Sequence, residues 1–189
     1  RKALAGAGAW SYRGAMYTQG GQLIQRGQLA PGHRGTAQTL AMMRQLARAA
    51  AADINVCRAA QAVLVEKGVR GHDYLGELVA LHDFVANRIR YVRDPVGTEW
   101  IQAPHVTLRE GMGDCDDKAT LLAGLLRSIG HPAQVVFRAI GTNPLSGQYG
   151  HVYVVARLGG RRIALDLTRA HTPAGWEYPR PMIAGEVRL

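Results

Sequence analysis

Between Asp114 and Ile129, Cys115, Lys118, Ala119, Leu122, Leu125, Leu126 and Ile129 recur at spacings of three and four. That period predicts a helix with one face on a core, ended by Gly130 and His131-Pro132. Cys115 opens the stripe, so its sulfur points toward whatever packs there. Gln134–Ile140 reads as a strand, Thr142–Gly150 as a loop, and His151–Arg157 and Arg162–Leu167 as two strands joined across Gly159-Gly160, a two-residue hairpin signal. Upstream, a helix capped by Thr36 or Thr39 should run to about Ala52 with Leu40, Met43, Leu46 and Ala47 at helical spacing. A second spans about Ile54–Lys67, stopped by Gly68. A third spans about Asp73–Arg90 and carries Leu75, Leu78, Val79, Leu81, His82, Val85 and Ile89. Tyr91–Pro95 is extended, and the aperiodic stretch 94–112 suits a loop that covers or lines a cleft.

The hairpin fixes a register. With Gly159 and Gly160 as the loop residues, Val152, Val154 and Ala156 stand opposite Leu167, Leu165 and Ile163, a wholly apolar side. His151 then opposes Thr168 and Tyr153 opposes Asp166, so His151 and Asp166 become diagonal neighbours within reach of an imidazole–carboxylate hydrogen bond. A slip of one residue would put them on opposite faces.

At 189 residues and 47% hydrophobic composition, the chain can build one cored domain. No run approaches the roughly 18 apolar residues of a membrane span. Leu4–Trp10 is too short and glycine-rich for the apolar part of a signal peptide, and a start at Arg1 implies a missing or processed N-terminus. The net charge of +9 is uneven: Arg1, Lys2, Arg13, Arg26, Arg34, Arg44 and Arg48 precede any acid, whereas the residues from Asp53 onward carry 16 basic and 14 acidic groups. Residues 1–35 are therefore expected to be a basic Gly/Gln-rich arm that docks on an acidic surface, and 36–189 a single domain, with a helical part over 36–71 and a core over 72–170. No basic-aromatic stripe points to nucleic acid.

The chemistry centres on Gly113-Asp114-Cys115-Asp116-Asp117. A cysteine in the first turn of a helix faces unpaired N–H groups and the positive end of the helix dipole, which favour thiolate. Cysteine, then His151, then Asp166 is the order expected for a nucleophile, its base and the group that orients the base. The Cys115 N–H would serve the oxyanion, with Gln102 or Trp100 as second donor. The flanking acids suit a helix N-terminus and argue against burial of this turn. Although they resemble a calcium loop, the glycine and bidentate glutamate of such a loop are missing, Leu125 standing where the glutamate belongs. No cofactor is implied, and the remaining histidines lack metal-like spacing. Two cysteines make no disulfide framework. Cys57 reads as a small buried hydrophobe.

Gly113–Asp117 with its leucine-rich helix, His151-Val152-Tyr153 and Leu165-Asp166-Leu167-Thr168 resemble the transglutaminase-like cysteine protease superfamily. The resemblance implies a papain-like α+β fold, a catalytic helix on an antiparallel sheet with an N-terminal helical layer, and a Cys-His-Asp triad. It implies a cysteine peptidase or amidase acting on a protein or peptidoglycan peptide. A cross-linking transglutaminase and an idle structural protein are the alternatives. Arg90-Tyr91 through Asp94-Pro95, Glu99–Pro104, Thr107-Leu108 and the Gly113-Asp114-Cys115 motif further resemble versions encoded by tailed phages and prophages. That likeness implies a virion or tail component, found in the virion or in the host cytoplasm during assembly, which meets other tail proteins through its basic arm.

Overall fold

The computed structural model describes residues 15–19, 22–26, 30, 32–94, 100–141, 149–169, 171–179 and 183–189. Thirteen elements follow in chain order among these residues: β1 (Ala15–Gln19), β2 (Gln22–Arg26), α1 (His33–Ala50), α2 (Ile54–Glu66), α3 (Tyr74–Arg88), β3 (Arg90–Tyr91), α4 (Pro104–Glu110), β4 (Met112–Gly113), α5 (Cys115–Ser128), β5 (Gln134–Gly141), β6 (His151–Leu158), β7 (Arg161–Leu165) and β8 (Ile183–Arg188).

Helix α5 is the axis of the molecule. Every residue from Asp116 to Leu126 is buried, because α1, α2, α3 and α4 pack around the helix and β6 packs against it too. Gly124 lies where α1, α4 and α5 approach closely: a Cβ there would come within 2.9 Å of the Ala50 methyl and 3.2 Å of Pro104 Cγ. The sheet is antiparallel with strand order β7-β6-β5-β8. Its inner face places Val135, Phe137, Ala139, Val152, Val154, Ala156, Ile163 and Leu165 in the main core with the helices. The opposite face gathers Val136, Ile140, Tyr153, Val155 and Ala164 into a smaller cluster with Tyr178 and Ala184. This is the α+β arrangement expected, with a helical layer on an antiparallel sheet.

The hairpin register agrees with the sequence argument: Val154 pairs with Leu165 and Ala156 with Ile163. Gly159 and Gly160 both take positive φ, 55° and 78°, as a tight two-residue turn requires. The ladder ends at Val154–Leu165, so Asp166 stands just past its last rung. Asp53 and Asp73 cap α2 and α3, accepting from Asn55 N at 2.9 Å and Gly76 N at 2.9 Å.

Four expectations need correction. Residues 15–19 and 22–26, within the expected extended arm, pair as the antiparallel strands β1 and β2; their sequence lacks an alternating apolar face, so periodicity did not show it. Helix α1 starts at His33 with Gly32 at the N-cap. Thr36 thus lies inside the first turn, its hydroxyl donating back to Gly32 O at 3.4 Å. Within 94–112 stands a short helix, α4, with proline at its start and Gly111 left-handed at its end, an asymmetry legible without periodicity. Leu75 and Val79 are exposed, since α3 is apolar nearly all round and its spacing alone overstates the buried face. The segment 142–148 of the expected loop, residues 95–99 and most of the basic arm lie outside the described residues.

Candidate active site

The site begins with the local chemistry of the α5 start. Asp114 sits in extended backbone as N-cap and its carboxylate accepts from Asp116 N at 3.1 Å, while Asp117 reaches back to Asp114 N at 3.3 Å. This reciprocal arrangement satisfies amide donors that a helix start leaves open. Cys115 is the first helical residue, half-buried, and packs against the edge of the main core. Neither Cys115 nor Cys57 is in a disulfide. Cys57 is half-buried rather than buried as expected.

The acids of this turn do not stay in solvent. Asp116 and Asp117 are 2% and 1% exposed, contrary to the expectation that flanking acids keep the turn out of the core. Asp117 tolerates this through donors: its Oδ1 accepts from Gln102 N at 2.6 Å and its Oδ2 from Gln102 Nε2 at 3.0 Å. Burial nevertheless raises its carboxyl to about 7, against the Gln102 amide and with the Asp114 charge adding to the rise. Asp116 is pushed far above the usual range by burial first, then by Asp114 beside it, and its Oδ1 has no hydrogen-bond partner among the described residues. Carboxylate oxygens of Asp114, Asp116 and Asp117 lie within 4.8 Å of one another, the one acidic group among the described residues compact enough to share a cation.

His151 opens β6, the strand against which α5 packs. Its Nε2 lies 2.7 Å from Asp166 Oδ2, the diagonal pair the register predicts. Asp166 is buried, and its Oδ1 accepts from Thr168 N at 2.9 Å and Thr168 Oγ1 at 2.8 Å. Burial, the largest influence, pushes the Asp166 carboxyl up, but the hydrogen bond and charge of His151 and the Thr168 donors together outweigh it. The group sits below its ordinary value. An ionised Asp166 accepts only, so Nε2 carries the proton of this bond and Nδ1 is the nitrogen available for proton transfer.

The two other expected site residues differ. Gln102 is brought to the α5 start and held there by Asp117. Trp100 is 54% exposed, and its backbone N–H is donated to Asp94.

The sequence reading passed over three supports. His82, fully buried on α3, donates from Nε2 to the Asp166 carbonyl at 2.8 Å and so fixes the backbone behind that carboxylate. Lys118, 2% exposed, donates to the carbonyls of Ile89 at 2.8 Å and Ala86 at 3.2 Å at the end of α3. A polar residue inside an apolar helical stripe was the available signal in both cases. Third, the Tyr178 ring stands 4.9 Å from the His151 ring, and the Arg169 guanidinium lies over both Trp176 and Tyr178 at 5.2 and 5.3 Å. No period marks that loop.

A family model described as "Transglutaminase-like superfamily" matches residues 64–167. Among solved structures, a candidate protease from Parabacteroides distasonis is similar with a TM-score of 0.53 at 14% identity, over 85% of this chain and 36% of that one. A candidate cysteine protease from Cytophaga hutchinsonii gives 0.45 at 24% identity, over 60% and 38% of the two chains. LapG of Legionella pneumophila gives 0.47 at 18%, over 67% and 73%. The protein thus spans little more than a third of the first two. No curated protein matches the sequence.

Proposed function

For a chain that belongs to the transglutaminase-like superfamily, we propose a cysteine peptidase or amidase with Cys115 as nucleophile, His151 as base and Asp166 as the group that orients it. The observation that carries this reading is the 2.7 Å His151–Asp166 bond, on the strand that packs against the helix opened by Cys115. The Cys115 thiol gives its proton to His151 Nδ1 and its sulfur adds to the amide carbonyl carbon. The tetrahedral adduct collapses by breaking the C–N bond, His151 protonates the leaving amine, and a thioester remains. Water, deprotonated by His151, then releases the acid and restores the thiol. Asp166 stabilises the imidazolium without taking its proton. The Cys115 N–H is the first oxyanion donor. Gln102 is the better second donor of the two considered, since Asp117 holds it at the α5 start with one amide hydrogen to spare, whereas Trp100 is 54% exposed and its backbone N–H serves Asp94.

The protein's substrate, on this reading, is a protein or peptide amide. An amine in place of water would make the same thioester a cross-linking intermediate. A tail-assembly role in a phage rests on the resemblance given for Arg90–Pro95, Glu99–Pro104, Thr107-Leu108 and Gly113-Asp114-Cys115, together with the absence of acids before Asp53; the identity of the flanking genes tests it. No helix among the described residues is long and apolar enough to cross a membrane.

The direct test is competitive alkylation. Iodoacetamide near neutral pH should label Cys115 well before Cys57. Equal labelling of the two in the folded protein would remove the nucleophile from this account.

A further inference from the structure

A cavity of about 380 Å³ opens at the end of α3, with Thr168, the hydrogen-bond partner of Asp166, in its wall, and that wall is cationic. Arg88, Arg90, Lys118 and His171 line it, together with Tyr91, Thr168 and neutral residues, and no Asp or Glu is among them. Two walls tie it to the site. Thr168 hydrogen-bonds the Asp166 carboxylate, and Tyr91 feels the charges of Cys115 and Asp114. Lys118 follows Cys115 by three residues on α5, one helical turn.

The cations are incompletely neutralised. Among the described residues Arg88 has only an exposed 3.5 Å pairing with Glu66, both side chains mostly in solvent, which holds little energy. Arg90 contacts Met112 sulfur at 3.8 Å and is in no ion pair among the described residues. Lys118 has two carbonyl partners and no carboxylate hydrogen-bonded to it. Burial lowers its ammonium to about 8, while the charge of Asp166 favours its protonated form. Asp114, at the α5 start and outside this lining, acts on the Tyr91 phenol. The lining itself is therefore positive, with the carboxylates of Asp114 and Asp166 acting on it from outside.

We propose that this cavity is a substrate subsite that binds a carboxylate of the peptide being cleaved, an acidic side chain or a free C-terminus, through Arg88, Arg90 and Lys118. The proposal rests on the peptidase reading and gives it a substrate class. The volume suits a single residue rather than a folded partner, and two guanidinium groups supply the fork geometry that a planar carboxylate accepts. The Asp114 charge at the α5 start disfavours the same carboxylate at the thiol, so the subsite also orients the chain in the cleft.

The test is binding, read separately from turnover. Full-length Cys115→Ala protein is titrated at low salt with acetyl-glutamate α-amide, acetyl-glycyl-alanine and neutral acetyl-glutamine amide, following backbone amide NMR shifts at Tyr91 and Thr168. At least one carboxylate should bind about tenfold more tightly than the neutral ligand, and the winner identifies the source of the carboxylate. The exposed double substitution Arg88→Gln/Arg90→Gln should remove the difference while leaving the spectrum folded. Equal affinity for all three ligands, or a preference untouched by the double substitution, overturns the subsite. If alkylation shows Cys115 to be unselective while carboxylates still bind here, the cavity stands and the peptidase reading falls; the reverse result separates them the other way.

Discussion

The two ends of α5 solve opposite problems. Its later turns bury Leu121, Leu122, Leu125 and Leu126 with Ala123 and Gly124 between the helical layer and the sheet, which is favourable in proportion to the apolar area removed from water. Its first turn buries Asp116, Asp117 and Lys118 in the same molecule, where each charge is costly unless partnered. Asp117 and Lys118 are partnered by named backbone and amide groups, but Asp116 keeps an oxygen with none. One helix thus holds an apolar, stabilising half and a half that gathers ionisable groups around the proposed nucleophile. The first supports the ionisable groups gathered at the second.

The sharpest way to break this comparison is to cut at the chemical end. Cys115→Ala and His151→Ala should abolish amide cleavage while leaving the melting temperature within a few degrees. Asp166→Asn should reduce activity less completely, because it orients rather than reacts. Turnover retained by His151→Ala would place the base elsewhere. The converse cut, Leu122→Ala, should cost about 2–5 kcal/mol in denaturant unfolding with near-normal kcat in the fraction still folded at low temperature. A kcat loss comparable to that of Asp166→Asn would mean the two ends are not separable.

A smaller effect follows from Asp117. Its folded-state carboxyl, held at about 7, lies above the ordinary value of 3.8, so the native state binds the extra proton between those limits and stability falls as pH rises through 7. Unfolding midpoints at pH 6 and 8 should show this fall, and Asp117→Asn should flatten it; an unchanged slope in the variant would assign the effect to another group. Smallest are the two ends' terminating residues. Asp114→Ala removes the N-cap, and Gly130→Ala places a Cβ at φ 68°; each should cost about 1 kcal/mol. Only the first should also slow turnover, because only it disturbs the turn that carries Cys115.

Much of this was legible because two periods are strong. The three-and-four spacing after Asp114 located α5, and the alternation around Gly159-Gly160 located both the hairpin and the His151–Asp166 diagonal. What escaped was polar chemistry inside those patterns. Lys118 counted as one more member of a stripe, yet it satisfies carbonyls at the end of α3. His82 likewise sat among apolar neighbours, and its role depends on a residue 84 positions away. The buried acids escaped for the same reason: their donor, Gln102, stands 15 residues before Asp117 in an aperiodic loop.

The two-glycine turn has a consequence of parity. Side chains on a strand alternate, so whether His151 and Asp166 meet depends on whether the rungs between them keep an even or an odd count. A single inserted or deleted residue that shifted the ladder would turn Asp166 away from His151. It would also turn Ile163 and Leu165 out of the core, since they share that count. Folding and chemistry therefore fail together at this hairpin. Selection for a stable sheet alone is enough to keep the pair in phase, and any lengthening here must be absorbed as a bulge at the turn rather than passed along the strands.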